Sequence, residues 1–170
     1  MLLRYKIAMA WVGLQVLFFL GWSGFEHKRL RPGEGESVLV HVRPLDPRDY
    51  LRGQYFLLGY DFSRPTSFPN APDVPEGGEV WAVLAPGQGD DLGFHVPVRA
   101  SATPPTDLGA GEVALLGHAE RWRYSFGVEE YFVPEGTETP RFEDLSVRLR
   151  IGGDGAARIE KVYLKGRPWP

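Results

Sequence analysis

The chain has no cysteine. Disulfides, thiolate nucleophiles and zinc–thiolate centres are therefore excluded, while the redox compartment stays open. Histidine is scarce, with only His27, His41, His95 and His118. His27 follows an apolar run and the other three fall on separate predicted strands. Spacing alone assembles no metal site, which needs three or four converging ligands. No metal and no cofactor are expected. Also missing are the G-x-S-x-G elbow, a phosphate-binding glycine loop, H-E-x-x-H and a dinucleotide fingerprint. A formal charge of −3 makes no electrostatic case for nucleic acid. Beyond the first 25 residues no segment keeps a helical period for three turns.

What is present begins with an apolar run. Arg4 and Lys6 precede 19 uncharged residues from Ile7 to Phe25, in which Gln15 is the strongly polar exception. A helix of that length spans about 28 Å, close to the hydrocarbon thickness of a bilayer. Trp22 near its far end suits an interfacial anchor. A cleaved signal peptide is the alternative, but its apolar core usually runs 7 to 15 residues, and Gly21, Ser23 and Gly24 match a cleavage site only loosely. Either reading exports the rest. The expected organisation is a tail over 1–6, a transmembrane signal anchor over 7–25, a connector over 26–35 and an extracytoplasmic domain over 36–170. From Glu26 onward there are 17 basic and 22 acidic side chains, a net of −5, so this part is not drawn to anionic lipid. Lys28, Arg29 and Arg31 after the run nearly balance the cations before it. The orientation with the domain outside follows the usual arrangement of a short cationic N-terminal tail.

The exported part reads as all-β. Gly (21) and Pro (15) together supply about a fifth of the chain, which favours short strands and turns. Eight extended segments are punctuated by turns: 36–44, 53–62, 79–85, 92–100, 112–124, 127–134, 144–151 and 156–166. Val38, Val40 and Val42 alternate with Leu39, His41 and Arg43. Pro97 places its strand at an edge or a bulge. The segments 112–124 and 127–134 are close enough to pair across Ser125-Phe126, and GGDG makes a good hairpin turn between the last two. Residues 63–78 are a proline-rich loop, and "TPRFEDL" suits one short helical turn. Mostly antiparallel strands at this spacing predict a barrel or a sandwich.

Two clusters stand out. The first is "DPRDYLRGQYFLLGY", where Gly53 after Arg52 permits a bulge and Tyr55 and Tyr60 bring hydroxyls that need partners if buried. Large side chains on both faces predict burial of Phe56, Leu58 and Tyr60. The second is "RWRYSFGVEEYFVPEG". On a regular strand Glu129, Tyr131 and Val133 share one face, and Arg52, Arg121 and Arg123 are the cations available to a carboxylate there. Glu129 and Glu130 face opposite ways and cannot form a glycosidase-like pair by themselves.

"GQYFLLGY" resembles the signature of the GDYXXLXY protein family, with Gly53, Tyr55, Leu58 and Tyr60 on the named positions. "PLDPRDYLR" and "GVEEYFVPEG", with Glu135 and Gly136, are similar to that family's pattern too, as is one membrane segment before an exported domain. Gln54 stands where the signature has Asp, so a negative charge is not required at this position. The resemblance implies location and topology rather than an activity, and it implies a partner in the membrane, because relatives are linked or fused to multi-spanning domains. The expected function is a membrane-anchored interaction module with a polytopic membrane-protein partner and the bilayer around residues 7–25. Two alternatives stay open: an envelope hydrolase using Glu129 or Glu135, and a glycan or small-ligand module with an aromatic groove of Tyr55, Tyr60, Trp122 and Tyr131. The residues to watch are Arg52, Gly53, Gln54, Tyr55, Leu58, Tyr60, Arg123, Glu129, Tyr131, Glu135 and Gly136.

Overall fold

A computed structural model describes residues 2–29, 35–43, 55–134 and 140–169. They fall in two units, one before and one after residue 35. The first is a helix, α1, over Leu2–Arg29. It has no proline, and Leu, Ala, Met and Gln are strong helix formers; three glycines each cost about 1 kcal/mol against alanine. Its side chains from Met9 to Gly24 are all exposed. Met9, Trp11, Leu14, Leu17, Phe19 and Leu20 point at different angles round the axis, and none is covered. Among the described residues no helix is long and apolar enough to cross a membrane. The expected span over 7–25 is therefore not established by α1, which begins before it and ends after it.

The second unit is a β-domain. Its ten strands among the described residues are β1 (Glu36–His41), β2 (Tyr55–Leu57), β3 (Glu79–Pro86), β4 (His95–Ser101), β5 (Val113–Glu120), β6 (Arg123–Ser125), β7 (Glu130–Phe132), β8 (Leu145–Ile151), β9 (Ala157–Leu164) and β10 (Arg167–Pro168). One antiparallel sheet runs β1-β8-β9-β10, another β4-β3-β5-β6, and β2 pairs with β7 in a third. The two four-stranded sheets share one hydrophobic cluster. Val38 and Val40 of β1, Val147 and Leu149 of β8, Ala82 and Leu84 of β3 and Leu115 of β5 all belong to it. The period-2 pattern of β1 holds, with Val38, Val40 and Val42 buried. β3 lies between two neighbours and buries Val83 as well, on its opposite face.

Several expectations are corrected. The segment 53–62 is not one strand: β2 ends at Leu57, Gly59 bridges Arg43, and Asp61–Ser63 forms a 3-10 turn. A second 3-10 turn, Pro65–Ser67, interrupts the proline-rich loop. The segment 112–124 breaks at Arg121-Trp122, so β5 pairs with β6, whereas β7 leaves for β2. Strand length is the physical reason: a ladder of three residues is fixed by the core beneath it and leaves no period to read. Pro97 lies on an edge strand beside a register shift, Val83 facing Arg99 and Leu84 facing Pro97, so both of its tolerated settings coincide. Phe142–Asp144 is the expected helical turn.

β1 and β4 are edge strands of their sheets and lie against each other. β1 ends at His41 near His95, where β4 begins. β5 starts at that same end and runs away from it, in step with β8. The domain therefore has a cleft end, with His41 and His95, and an opposite end, with Glu36 and the β5–β6 turn.

Candidate functional site

The stretch after β2 is built into the core. Leu58 is 0% and Tyr60 1% exposed. The Leu58 N–H donates to the Glu129 carbonyl at 2.6 Å, and the Gly59 carbonyl accepts from the Arg43 N–H at 2.8 Å. The Tyr60 hydroxyl donates to the Val128 carbonyl at 2.8 Å, which satisfies two buried polar groups at once. Its ring stacks on Phe62 at 4.8 Å, and Phe62 meets Phe126 edge-on. Burial, and secondarily the charge of Glu129, push the Tyr60 hydroxyl well above the ordinary phenol range. Phe56 is half-buried, packed edge-on against Trp169.

Glu129 is 8% exposed. Its Oε1 accepts the Phe126 N–H at 2.7 Å and closes the loop 126–129, in which Gly127 takes φ 73°. The carboxylate thus finds a backbone donor, while Arg52, one of the cations available to it, lies outside the described residues. Arg123 pairs instead with Glu120, at 2.6 Å. The two sequence clusters meet here, 58–62 against 126–129, and lock each other through backbone groups. Tyr131 is half-buried near Trp169, while Trp122 is exposed on the β5–β6 turn, away from both. Tyr60 offers no open face, so it cannot join Trp122 and Tyr131 in a stacking groove. β2 includes the backbone of Tyr55. Arg52, Gly53, Gln54, Glu135 and Gly136 lie outside the described residues.

A concave feature among the described residues lies elsewhere. A cleft of about 230 Å³ opens between β1 and β4, lined by His41, Arg43, Asp61, Asp91 and His95 over Val40 and Phe62. Arg43 forks onto Asp61, with Nε 2.9 Å from Oδ1 and Nη2 3.0 Å from Oδ2. Asp61 in turn raises the Arg43 pKa. His41 Nε2 lies 3.3 Å from Asp91 Oδ1, and its ring stacks on Phe94 at 3.7 Å. His95 Nε2 lies 3.3 Å from the Gly111 carbonyl. If it donates there, Nδ1 carries a lone pair, and Nδ1 is buried with no partner. With neutral histidines the lining carries one positive and two negative charges. Its spare capacity is mostly acceptor, which suits a cationic or hydrogen-donating group. Among the described residues no three His, Asp or Glu are arranged to hold a metal ion. Of these five, His41 and His95 were noted in the sequence as histidines on separate strands, with nothing there to bring them together; Arg43, Asp61 and Asp91 were not site candidates. The one available signal was the outward phase of β1, which puts His41 and Arg43 on one face.

The sequence pattern of the GDYXXLXY protein family matches residues 16–162. The chain belongs to the GDYXXLXY family. No curated protein and no solved structure matches it. In this GDYXXLXY protein the last two named signature positions, Leu58 and Tyr60, are core residues. The GDYXXLXY signature here fastens one irregular segment to another, and the cleft lining begins just after it, at Asp61.

Proposed function

We propose that the protein is a membrane-anchored binding module, with α1 in the bilayer and the β-domain on the extracytoplasmic side. The carrying observation is the run from Met9 to Gly24, whose large apolar side chains are exposed on every face of the helix. A helix apolar all round is stable when apolar surroundings cover it. The flanking sequence extends that run to 19 uncharged residues. The partner is a polytopic membrane protein, which fits the cleft by offering a cationic or donor group to Asp61 and Asp91. The test is recovery from native membranes in a gentle detergent after brief cross-linking. A multi-spanning protein should be recovered with the wild type and lost with Asp91→Asn; repeated recovery alone and monomeric contradicts the proposal.

The cleft also favours a small-ligand reading. Asp61 and Asp91 in its lining suit small amines and amino sugars. A rise in melting temperature with such compounds that disappears in Asp91→Asn supports this reading, and no rise with any of them counts against it. Of the two hydrolase candidates, Glu129 is buried, has Oε1 held by the Phe126 N–H and does not line this cleft, and Glu135 lies outside the described residues.

A further inference from the structure

The β5–β6 turn is built from residues that turns do not favour. Two-residue hairpin turns prefer Gly, Asn and Asp, which adopt the needed backbone angles easily. Here the turn is Arg121-Trp122, between the paired residues Glu120 and Arg123. Trp122 is 74% exposed, so the largest side chain type sits in water at the tip of a hairpin. It is also braced. The Arg123 guanidinium lies 5.9 Å from the indole centroid and is held by Glu120 at 2.6 Å. A scattered exposed apolar residue needs no explanation. A braced tryptophan at a turn tip, in place of a turn-forming residue, does.

Its position supplies one. The chain enters the β-domain at Gly35, which packs on the backbone of Ile151 and Gly152 at the end of β8. The β8–β9 turn that follows reaches across to the other sheet, where the Gly155 carbonyl accepts the Leu116 N–H of β5 at 2.9 Å. From Leu116, β5 continues to Glu120 and the turn. Entry point and tryptophan thus share one end of the domain, and the cleft occupies the other.

We propose that Trp122 is a second membrane contact, its indole seated among the lipid headgroups of the bilayer that holds α1. This rests on the membrane-anchored reading. An indole combines an apolar body with one N–H donor, the combination enriched at membrane–water interfaces. Arg121 and Arg123 flank it, but Glu36, Glu79 and Glu120 stand at the same end. The contact therefore depends on the indole and not on anionic lipid. A tethered domain is already concentrated at the surface, so one modest contact suffices to orient it. The cleft is then turned away from the membrane surface, open to the exposed loops of a partner.

The absence of cysteine permits a clean test in the full chain. A single environment-sensitive dye is placed at Arg121→Cys, at Leu92→Cys on the cleft side, or at Val16→Cys in α1. Each protein is reconstituted into phosphatidylcholine vesicles containing shallow or deep nitroxide lipids. The dye at 121 should be quenched by shallow nitroxide, and Trp122→Ala in that background should abolish the quenching. The dye at 92 should answer only to aqueous iodide. If 16 is quenched by deep nitroxide but 121 behaves like 92, the Trp122 contact is wrong and the anchor stands. If 16 is not quenched, the anchor fails and this contact with it. A dye at 121 shielded from both iodide and nitroxide means that protein covers the tip, which also overturns the proposal.

Discussion

Tyr60 shows what the signature does at the scale of one residue. Tyr60→Phe keeps the ring but leaves the buried Val128 carbonyl without its donor, and should cost about 1–3 kcal/mol in urea unfolding. The pH dependence follows from the raised pKa. An unfolded tyrosine titrates near 10. Below that pH both states are protonated and the contribution is full. Above it the unfolded chain releases the proton while the folded one keeps it, so stability falls as pH rises. Tyr60→Phe should make the alkaline loss shallower without removing it, because burial raises Tyr124 and Tyr131 too. Equilibrium unfolding between neutral pH and about 11 checks this. At Glu129, Gln retains an acceptor for the Phe126 N–H and Ala does not, so Ala should be the more destabilising by about 1–3 kcal/mol. Burial of Leu58 and Tyr60 was legible in the sequence because large side chains lay on both faces of one segment. Their partners were not, because the Val128 and Glu129 carbonyls lie about 70 residues further along and backbone groups carry no sequence signal.

Among the elements, strands with a clear period or a marked turn were legible. β1 alternates, and GGDG places the β8–β9 hairpin. Gly155 in that turn has φ 79°, and a Cβ there would strike the Trp81 ring, whereas Gly153 faces open space. Gly155→Ala should therefore cost roughly 1–3 kcal/mol in thermal unfolding, and Gly153→Ala far less. The β5–β6 turn was not legible because Arg-Trp carries no turn signal. The β2–β7 pair was not legible either: three residues hold no period, and pairing across 75 positions is decided by the core. The cleft lies at a junction of this kind. It takes side chains from β1, from the turns around Asp61 and Asp91, and from β4, four stretches joined only by the tertiary fold.

For the whole molecule, the two units have opposite chemistry. The α1 side chains from Met9 to Gly24 are uncharged and exposed, and the part of the chain from Glu26 onward carries a net charge of −5, with a buried β core. A domain of that sign needs an anchor rather than electrostatics to stay at a membrane. The run of 7–25 was the plainest feature of the sequence, and the structure adds that its side chains from Met9 to Gly24 are exposed. Replacing Leu14 and Leu17 by Arg should release the protein from the membrane fraction, since each charge at a bilayer centre costs about 2.5–3.5 kcal/mol on insertion scales. Export of the domain on its anchor is measured most directly with a single cysteine at Leu92, exposed on the cleft side of the β-domain. Intact cells are treated with a membrane-impermeant maleimide and their membranes are then washed with alkaline carbonate. A labelled protein that stays in the pellet is expected. Labelling only after permeabilisation, or release into the wash, would contradict it.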